Sequence, residues 1–184
     1  MAENEEILDI YDGERRPMGY TKRRDEPLEP GEFIVAVGIW IVDDKGRLLI
    51  TKRSMQKRYA PGKWENTGGH LMHGEEPVAA VMRELYEETG IKVARADVHF
   101  LGTAKVPPFF GDNFIAHVKD TSGIKLQPGE TSDARWVSLD ELERMMRNGD
   151  MAGSTVEHMK AYKDAFYAAI ADIACVSTGE DKSK

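Results

Sequence analysis

The sequence predicts a single domain of the α/β (α+β) class, a sandwich in which strands and helices share one core. Three observations carry that reading. The run FIVAVGIWIV at 33–42 is rich in valine and isoleucine, the residues that fit a pleated, buried surface. Further strand-like runs follow at 97–105, 113–119 and 133–138. Helical patterns at about 75–90, 138–146 and 155–175 are interleaved with them, and such mixing points to layers packed on each other. With 184 residues there is material for one substantial core and no reason to expect two.

In chain order, ILDIYD at 7–12 and the Gly19-Tyr20-Thr21 stretch read as a small hairpin leading into the proline-rich loop EPLEPGE at 26–32. Residues 1–32 are therefore expected to be an accessory hairpin and loop, 33–176 the main domain and 177–184 a polar tail. Phe33–Val42 and Arg47–Lys52 form a hairpin through the turn residues Asp43-Asp44-Lys45-Gly46. After the basic loop SMQKRYAPGKWENTGG at 54–69, a helix starts near Glu75 and stops at Gly90, a residue suited to a left-handed cap. Val78, Val81, Met82 and Leu85 recur at helical spacing and give it a core-facing stripe. The strands at 97–105 and 113–119 are expected to turn through PPFFGDN. SLDELERMM opens with Ser138 and has Glu141 three residues later, the capping-box spacing, and a last amphipathic helix covers Thr155–Cys175.

The composition, 41% hydrophobic and 31% charged with net charge -7, is that of a soluble globular protein. A negative balance argues against a nucleic acid polymer or an anionic membrane as partner, and an acidic enzyme acting on phosphates needs a cation between them. No apolar run approaches the roughly 20 residues of a membrane helix. The N-terminus MAENEEILDI is acidic where a secretion signal is basic and then apolar, so the expected compartment is the cytoplasm. The one cysteine, Cys175, cannot form an internal disulfide and reads as a packing residue.

Chemistry concentrates in RELYEETG, 83–90. Glu84, Glu87 and Glu88 stand at i, i+3 and i+4 and share one sector of the helix, away from the apolar stripe. Like charges at that spacing repel by a few tenths of a kcal/mol when exposed, and by about 3 kcal/mol at 6 Å in an effective dielectric near 20. The last turn of a helix also carries partial negative charge. Two readings stand: a solvated acidic face, or a site completed by a divalent cation. Arg83, one turn before Glu87, and Gly68-Gly69, where backbone can approach a ligand, favour the second. Clustered hard oxygens with open positions suit Mg²⁺.

These residues carry a family resemblance. The stretch GHLMHGEEPVAAVMRELYEETGI, 69–91, resembles the Nudix box at every fixed position: Gly69, Glu75, Arg83, Glu84, Leu85, Glu87, Glu88, Gly90 and Ile91. The chain from about residue 33 onward, including RWVSLDEL at 135–142, also looks like that fold. The resemblance implies the Nudix fold, an α/β/α sandwich with a central mixed β-sheet and the box as a loop-helix-loop. It implies hydrolysis of a diphosphate linked to another moiety, typically a nucleoside, with Mg²⁺ or Mn²⁺ as cofactor. It makes Glu84, Glu87 and Glu88 the metal ligands, with the carbonyl of Gly69 or Gly68. Arg83 and Glu75 would orient the box, and Glu84 or Glu87 would be the base. Glu130, six residues before Trp136, is the candidate for a further acid from a later loop, with a solvated loop glutamate as the alternative.

The N-terminal segment and APGKWENTGGHLMHGE are also similar to isopentenyl-diphosphate isomerase, a Nudix-fold enzyme. Its catalytic cysteine precedes the Gly-His that corresponds to Gly69-His70, and here that place is Gly68. No histidine precedes His70, and the box is intact. The chain is therefore placed among isomerase-like Nudix hydrolases, with the isomerase activity and a catalytically silent binding module as the competing classes. Lys52, Arg53 and Lys63, with Lys57 and Arg58, form either a basic rim for substrate phosphates or a solvated loop. Phe109, Phe110 and Phe114 offer a stacking surface, with core packing the expected role of Phe114, and His70 is a candidate substrate contact. His99, His117 and His158 are expected to be structural. A small-molecule diphosphate is the expected partner, and a homodimer is the default oligomer.

Overall fold

The computed structural model describes residues 6–119 and 121–177; the first five residues of the acidic N-terminus and 178–184 of the expected tail lie outside the described residues. The hairpin consists of β1 (Ile7–Tyr11) and β2 (Pro17–Arg23), antiparallel, with Ile7 opposite Arg23. Leu8 and Ile10 bury against Ile34, with Leu28 and Phe109 alongside. Tyr11 and Phe33 exchange both main-chain bonds at 2.9 and 2.8 Å, which ties the hairpin to the body.

β3 (Ile34–Asp43) is the centre of the sheet. Over its whole length it pairs in parallel with β8 (Phe109–Val118), from Ile34 opposite Phe109 to Asp43 opposite Val118. Its other edge is shared. β4 (Leu48–Arg53) takes Ile41 and Val42, and β6 (Thr67–His70) takes Ala36 to Ile39, both antiparallel. β4 in turn pairs with β5 (Trp64–Glu65) at Thr51 and Lys52 and with β9 (Thr131–Val137) along its far edge. β7 (Val98–Val106) closes the opposite side against β8. The result is a mixed sheet that forks, because β3 and β4 stay together at one end only and β5 and β6 fill the opening.

Alternation along β3 makes three layers, since successive side chains of a strand face opposite ways. Val35, Val37, Ile39 and Ile41, with Phe110 and Phe114, bury against Ala80, Val81 and Leu85 of α1 (Pro77–Thr89). Trp40, Val42, Leu48, Ile50 and Ile115 bury against α2 (Leu139–Asn148) and α3 (Gly153–Ser177) through Leu142, Met145, Met159, Tyr162 and Phe166. The architecture is the α/β/α sandwich expected from the sequence. Among the described residues, no helix is long and apolar enough to cross a membrane.

The caps are where the sequence places them. Gly90 has φ 73° and its N–H donates to Tyr86 O at 2.8 Å, a left-handed cap that any β-carbon would strain. Ser138 Oγ accepts from Glu141 N at 3.2 Å. Pro77 occupies the first position of α1, so the helix begins two residues after Glu75 and leaves that side chain outside it. Two readings need correction. The segment 54–69 is not only a loop, since it contains β5 and all but the last residue of β6, whose short sequences carry no strand signal. Within PPFFGDN only the prolines turn; Phe109–Asn113 already belongs to β8, held by the parallel ladder to β3.

Phe166 is fully buried with its ring 5.1 Å from Trp40 and 5.5 Å from Tyr167. Phe166→Ala is expected to lower the free energy of unfolding by about 3–5 kcal/mol, measured by urea denaturation.

Candidate active site at the fork of the sheet

The last two turns of α1 bring Glu84 and Glu88 inward, both 8% exposed, while Glu87 faces outward. Gly69 on β6 lies directly under Glu84: a β-carbon there would stand 2.2 Å from that carboxylate. Only glycine lets strand and carboxylate approach so closely. Arg83 organises the surroundings. Its Nε and Nη2 each donate to Glu75 at 3.0 Å, a bidentate pair, while Nη1 donates to Glu84 at 2.8 Å and to Glu87 at 3.3 Å. Nη2 also donates to the carbonyl of His70 at 3.1 Å, which ties the box loop to the helix. Burial opposes the charge of this guanidinium, but its bonds to Glu75 and Glu84 outweigh that and raise its proton affinity.

Glu88 is the least satisfied group of the site, because its Oε2 is buried with no hydrogen-bond partner. Burial pushes its carboxyl well above the usual carboxylate range, and Glu65, Glu84 and Glu130 push it further against the pull of Lys57. Burial likewise raises Glu84, against Arg83, and Glu65, against Arg53. Glu65 is held by Arg53 Nη1 at 2.8 and 3.0 Å, and Glu130 is paired with Lys57. Glu65, Glu84 and Glu130 thus stand around one unbonded carboxylate oxygen, while Arg53, Arg83 and Lys57 pair with those neighbours. Among the described residues, no three acidic, imidazole or thiol groups stand close enough to share an ion as they are. Arg83 draws Glu84 and Glu87 to itself and Lys57 draws Glu130. The donor set fits an open site, in which water and substrate oxygens complete the shell of a hard cation.

Apart from Glu75, these groups line one cleft of about 690 Å³, within the range of small-molecule sites. Glu84, Glu87, Glu88, Gly69, Arg83, Glu130, Arg53 and His70 line it. Three other candidates lie elsewhere. Phe110 is in the core on the α1 face, packed on Phe33, because alternation along β8 turns its neighbour Phe109 to the cleft instead. Lys52 stands over the ring of Trp64, 5.5 Å from its centroid, and Lys63 donates to the carbonyl of Gly149 at 2.7 Å. Sequence reasoning missed Glu65, Asn66 and Asn113, and assigned His158 to structure, yet all four line the cleft. No pattern marks them, since they meet only through β5, β8 and α3.

An α/β/α sandwich that sets helix-borne glutamates against a Gly-Gly strand defines the class of proteins built around the box at 69–91. The family model of the NUDIX domain matches residues 32–155, and the chain belongs to the Nudix family. Hydrolases of that family act on pyrophosphate-containing substrates. The chain is 33% identical over 147 residues to an uncharacterised Nudix hydrolase of Listeria monocytogenes, covering 79% of this chain and 87% of that protein. It is 30% identical over 164 residues to an isopentenyl-diphosphate Δ-isomerase of Brevibacterium linens, covering 83% and 89%. A crystal structure from Deinococcus radiodurans shares the fold with TM-score 0.71 at 21% identity, over 83% of this chain and 96% of that one. So does a bifunctional NMN adenylyltransferase/ADP ribose pyrophosphatase of Francisella tularensis, complexed with AMP and manganese, with TM-score 0.58 at 16% identity over 81% and 43%.

The raised proton affinity of Glu88 has a definite sign. The folded chain holds this proton more tightly than the unfolded chain, so metal-free stability falls as pH rises from about 4.5 through the folded value and is level beyond it. Glu88→Gln is expected to flatten that slope and to stabilise the metal-free protein at neutral pH by about 1–3 kcal/mol. Thermal melts in chelator across pH measure both. Gly69→Ala is expected to displace Glu84 and to lower Tm in the same assay.

Proposed function

We propose that this chain is a divalent-metal-dependent hydrolase that cleaves the diphosphate linkage of a nucleoside diphosphate derivative or a similar organic pyrophosphate. The observation that carries the reading is the buried, unbonded oxygen of Glu88, beside Glu84 and in a cleft of ligand size. A neutral substrate gives no reason to keep such a group, whereas a cation that binds phosphate does. Glu84, Glu87 and Glu88, with Gly69 carbonyl and Glu130, are the residues that would hold Mg²⁺ or Mn²⁺. When bound, the ion neutralises phosphate charge and lowers the pKa of coordinated water.

The chain's own groups do the rest. Water attacks one phosphorus of the diphosphate, the bond from that phosphorus to the bridging oxygen breaks, and the leaving phosphate departs with the bonding pair. Glu84 or Glu87 accepts the proton of the attacking water. Arg83 positions both carboxylates through the contacts above and is itself braced by Glu75. Arg53 and Lys57 stand on the cleft wall, where their charge favours an incoming phosphate.

The isomerase reading is opposed by Gly68. A β-carbon at that position would lie 2.3 Å from Val37 O, so no cysteine side chain fits the strand as it is placed. The chain's one cysteine, Cys175, is on α3 and does not line the cleft.

Purified protein with Mg²⁺ is expected to release phosphate or a nucleotide from members of a panel of nucleoside diphosphate derivatives, dinucleotides, nucleotide sugars and isopentenyl diphosphate. Chelator should abolish the activity. Glu88→Gln is expected to cut turnover on the order of 10²- to 10³-fold, and Arg83→Ala roughly 10- to 100-fold, as the loss of a positioning partner does. Unchanged turnover in Glu88→Gln, or conversion of isopentenyl diphosphate without phosphate release, would overturn the reading.

A further inference from the structure

One ion pair joins two groups to which the hydrolase reading gives separate tasks. Lys57 is to meet an incoming phosphate and Glu130 is to hold the ion, yet the Lys57 ammonium is paired with the Glu130 carboxylate. Both side chains line the cleft and are largely withdrawn from solvent, 13% and 25% exposed. The pair is not needed to join the two turns that carry it. β4 ends at Arg53, the register partner of Thr131 on β9, and the ladder continues past both strands, where Ser54 N donates to Glu130 O at 2.9 Å. Lys57 follows in a turn closed by its own N–H on Ser54 O at 3.1 Å, and Glu130 sits in a turn closed by its N–H on Gln127 O at 3.2 Å. Gln127 N donates to Glu88 O at 3.3 Å, so the turn that carries Glu130 hangs from the backbone of Glu88. Main-chain bonds alone thus bring Lys57, Glu130 and Glu88 to one place.

The charge of Lys57 reaches beyond Glu130. It opposes the rise in proton affinity that burial gives Glu88 and Glu65. One ammonium therefore serves three carboxylates, and of these Glu88 keeps a buried oxygen without a hydrogen bond. The arginines beside these acids are fixed in place. Arg53 donates through Nε to Tyr59 O at 2.8 Å as well as to Glu65, and Arg83 spans Glu75, Glu84, Glu87 and the His70 carbonyl. A guanidinium is a rigid fork, whereas an ammonium is a compact, strongly hydrated charge on a flexible four-carbon stem. Of these three cations, Lys57 is the one built to move.

We propose that Lys57 is an exchangeable counter-ion: its ammonium stands in for the divalent cation beside Glu130, gives up that carboxylate when the cation binds, and is thereby turned over to the substrate phosphate. The proposal rests on the hydrolase reading above and goes beyond it, because it makes metal affinity and phosphate affinity depend on one side chain. A divalent ion brings two charges to carboxylates over which an ammonium spreads one, and it can take the oxygen of Glu88 that stands unbonded. While Lys57 stays with Glu130 it subtracts from metal affinity. Once displaced, it is a cation on the cleft wall whose own counter-charge has been taken, and a phosphate replaces what it lost. The phosphate is therefore gripped by Lys57 in company with the ion rather than ahead of it.

Binding of Mn²⁺ to the full chain without substrate, followed by electron paramagnetic resonance of the unbound ion, tests this. Wild type, Lys57→Met, Glu130→Gln and the double variant are compared, each first melted in chelator to show that it folds. Lys57→Met is expected to bind Mn²⁺ about fivefold more tightly than wild type, the size of a partly exposed ion pair, but no more than about twofold more tightly when Glu130 is already Gln. Lys57→Gln and Glu130→Ala replace any variant that does not fold. In saturating Mn²⁺, Lys57→Met is also expected to weaken binding of methylenediphosphonate, a diphosphate that cannot be hydrolysed, about tenfold. Equal gains in Mn²⁺ affinity with and without Glu130 would overturn the exchange and leave Lys57 a distant charge. No gain in Lys57→Met would overturn it too, and unchanged affinity for the diphosphonate would overturn the transfer to phosphate. Metal-dependent hydrolysis of a diphosphate alongside equal gains would leave the hydrolase reading standing without the exchange. The expected cycle in a protein that hydrolyses no diphosphate would remove the hydrolase reading and leave the exchange at Glu130.

Discussion

Two carboxylates buried one turn apart on the same helix, Glu84 and Glu88, are the constraint around which the molecule is arranged. Burial disfavours their ionised forms, and the C-terminal end of α1 adds to that penalty. The neighbourhood answers for one of them. Arg83 donates to Glu84 and is itself fixed by Glu75 and the His70 carbonyl, so a single guanidinium joins helix, loop and strand. For Glu88 the protein offers no such answer. That asymmetry sets Glu88 apart from a structural ion-pair network, in which every member is satisfied.

The fork of the sheet makes the arrangement possible. Had β3 and β4 paired along their full length, main-chain bonds would occupy the place where the acids stand. Because β4 leaves β3 after Ile41 and Val42, β5 and β6 enter the gap and bring Glu65, Asn66, Gly68 and Gly69 with them. Small residues then keep the opening clear. Alternation along β3 gives Trp40 and Val42 to the α3 face where the core needs bulk, and Ala36 and Gly38 to the same face where the cleft needs room. Stability and function thus share one strand, at opposite ends of it.

How much of this was legible in sequence follows from how local each signal is. The helix of the box, its stripe of Val81 and Leu85, the cap at Gly90 and the crowding of Glu84, Glu87 and Glu88 all lie within one continuous segment, so spacing alone reveals them. The serine cap at Ser138 is local in the same way. Glu65, Asn113 and His158 come from three elements distant in sequence, and each is an ordinary residue in its own segment. β5 and β6 escaped notice because strands of two and four residues, the second half glycine, have no period to read. Phe110 and Phe109 show the finest limit: one residue of register decides which ring enters the core and which the cleft, and register is fixed by pairing with β3 rather than by composition.

The cleft is assembled from elements far apart in sequence as well as from the box. His70, Met72, Arg83, Glu84, Glu87 and Glu88 of the box line it together with residues from outside. Asn66, Asn113 and His158 face one end of the cleft, and at the other Glu6 and Arg24 of the N-terminal hairpin line the wall, joined by bonds of 3.0 and 3.1 Å. The hairpin is also locked to the box loop, where His73 N donates to Ile7 O at 2.7 Å and Gly74 N to Asp9 Oδ2 at 3.3 Å. Residues 6–31, which precede the matched domain, are therefore part of the cleft's geometry as well as of the fold. A change in that hairpin reaches the carboxylates by two routes, through the wall it builds and through the loop it holds.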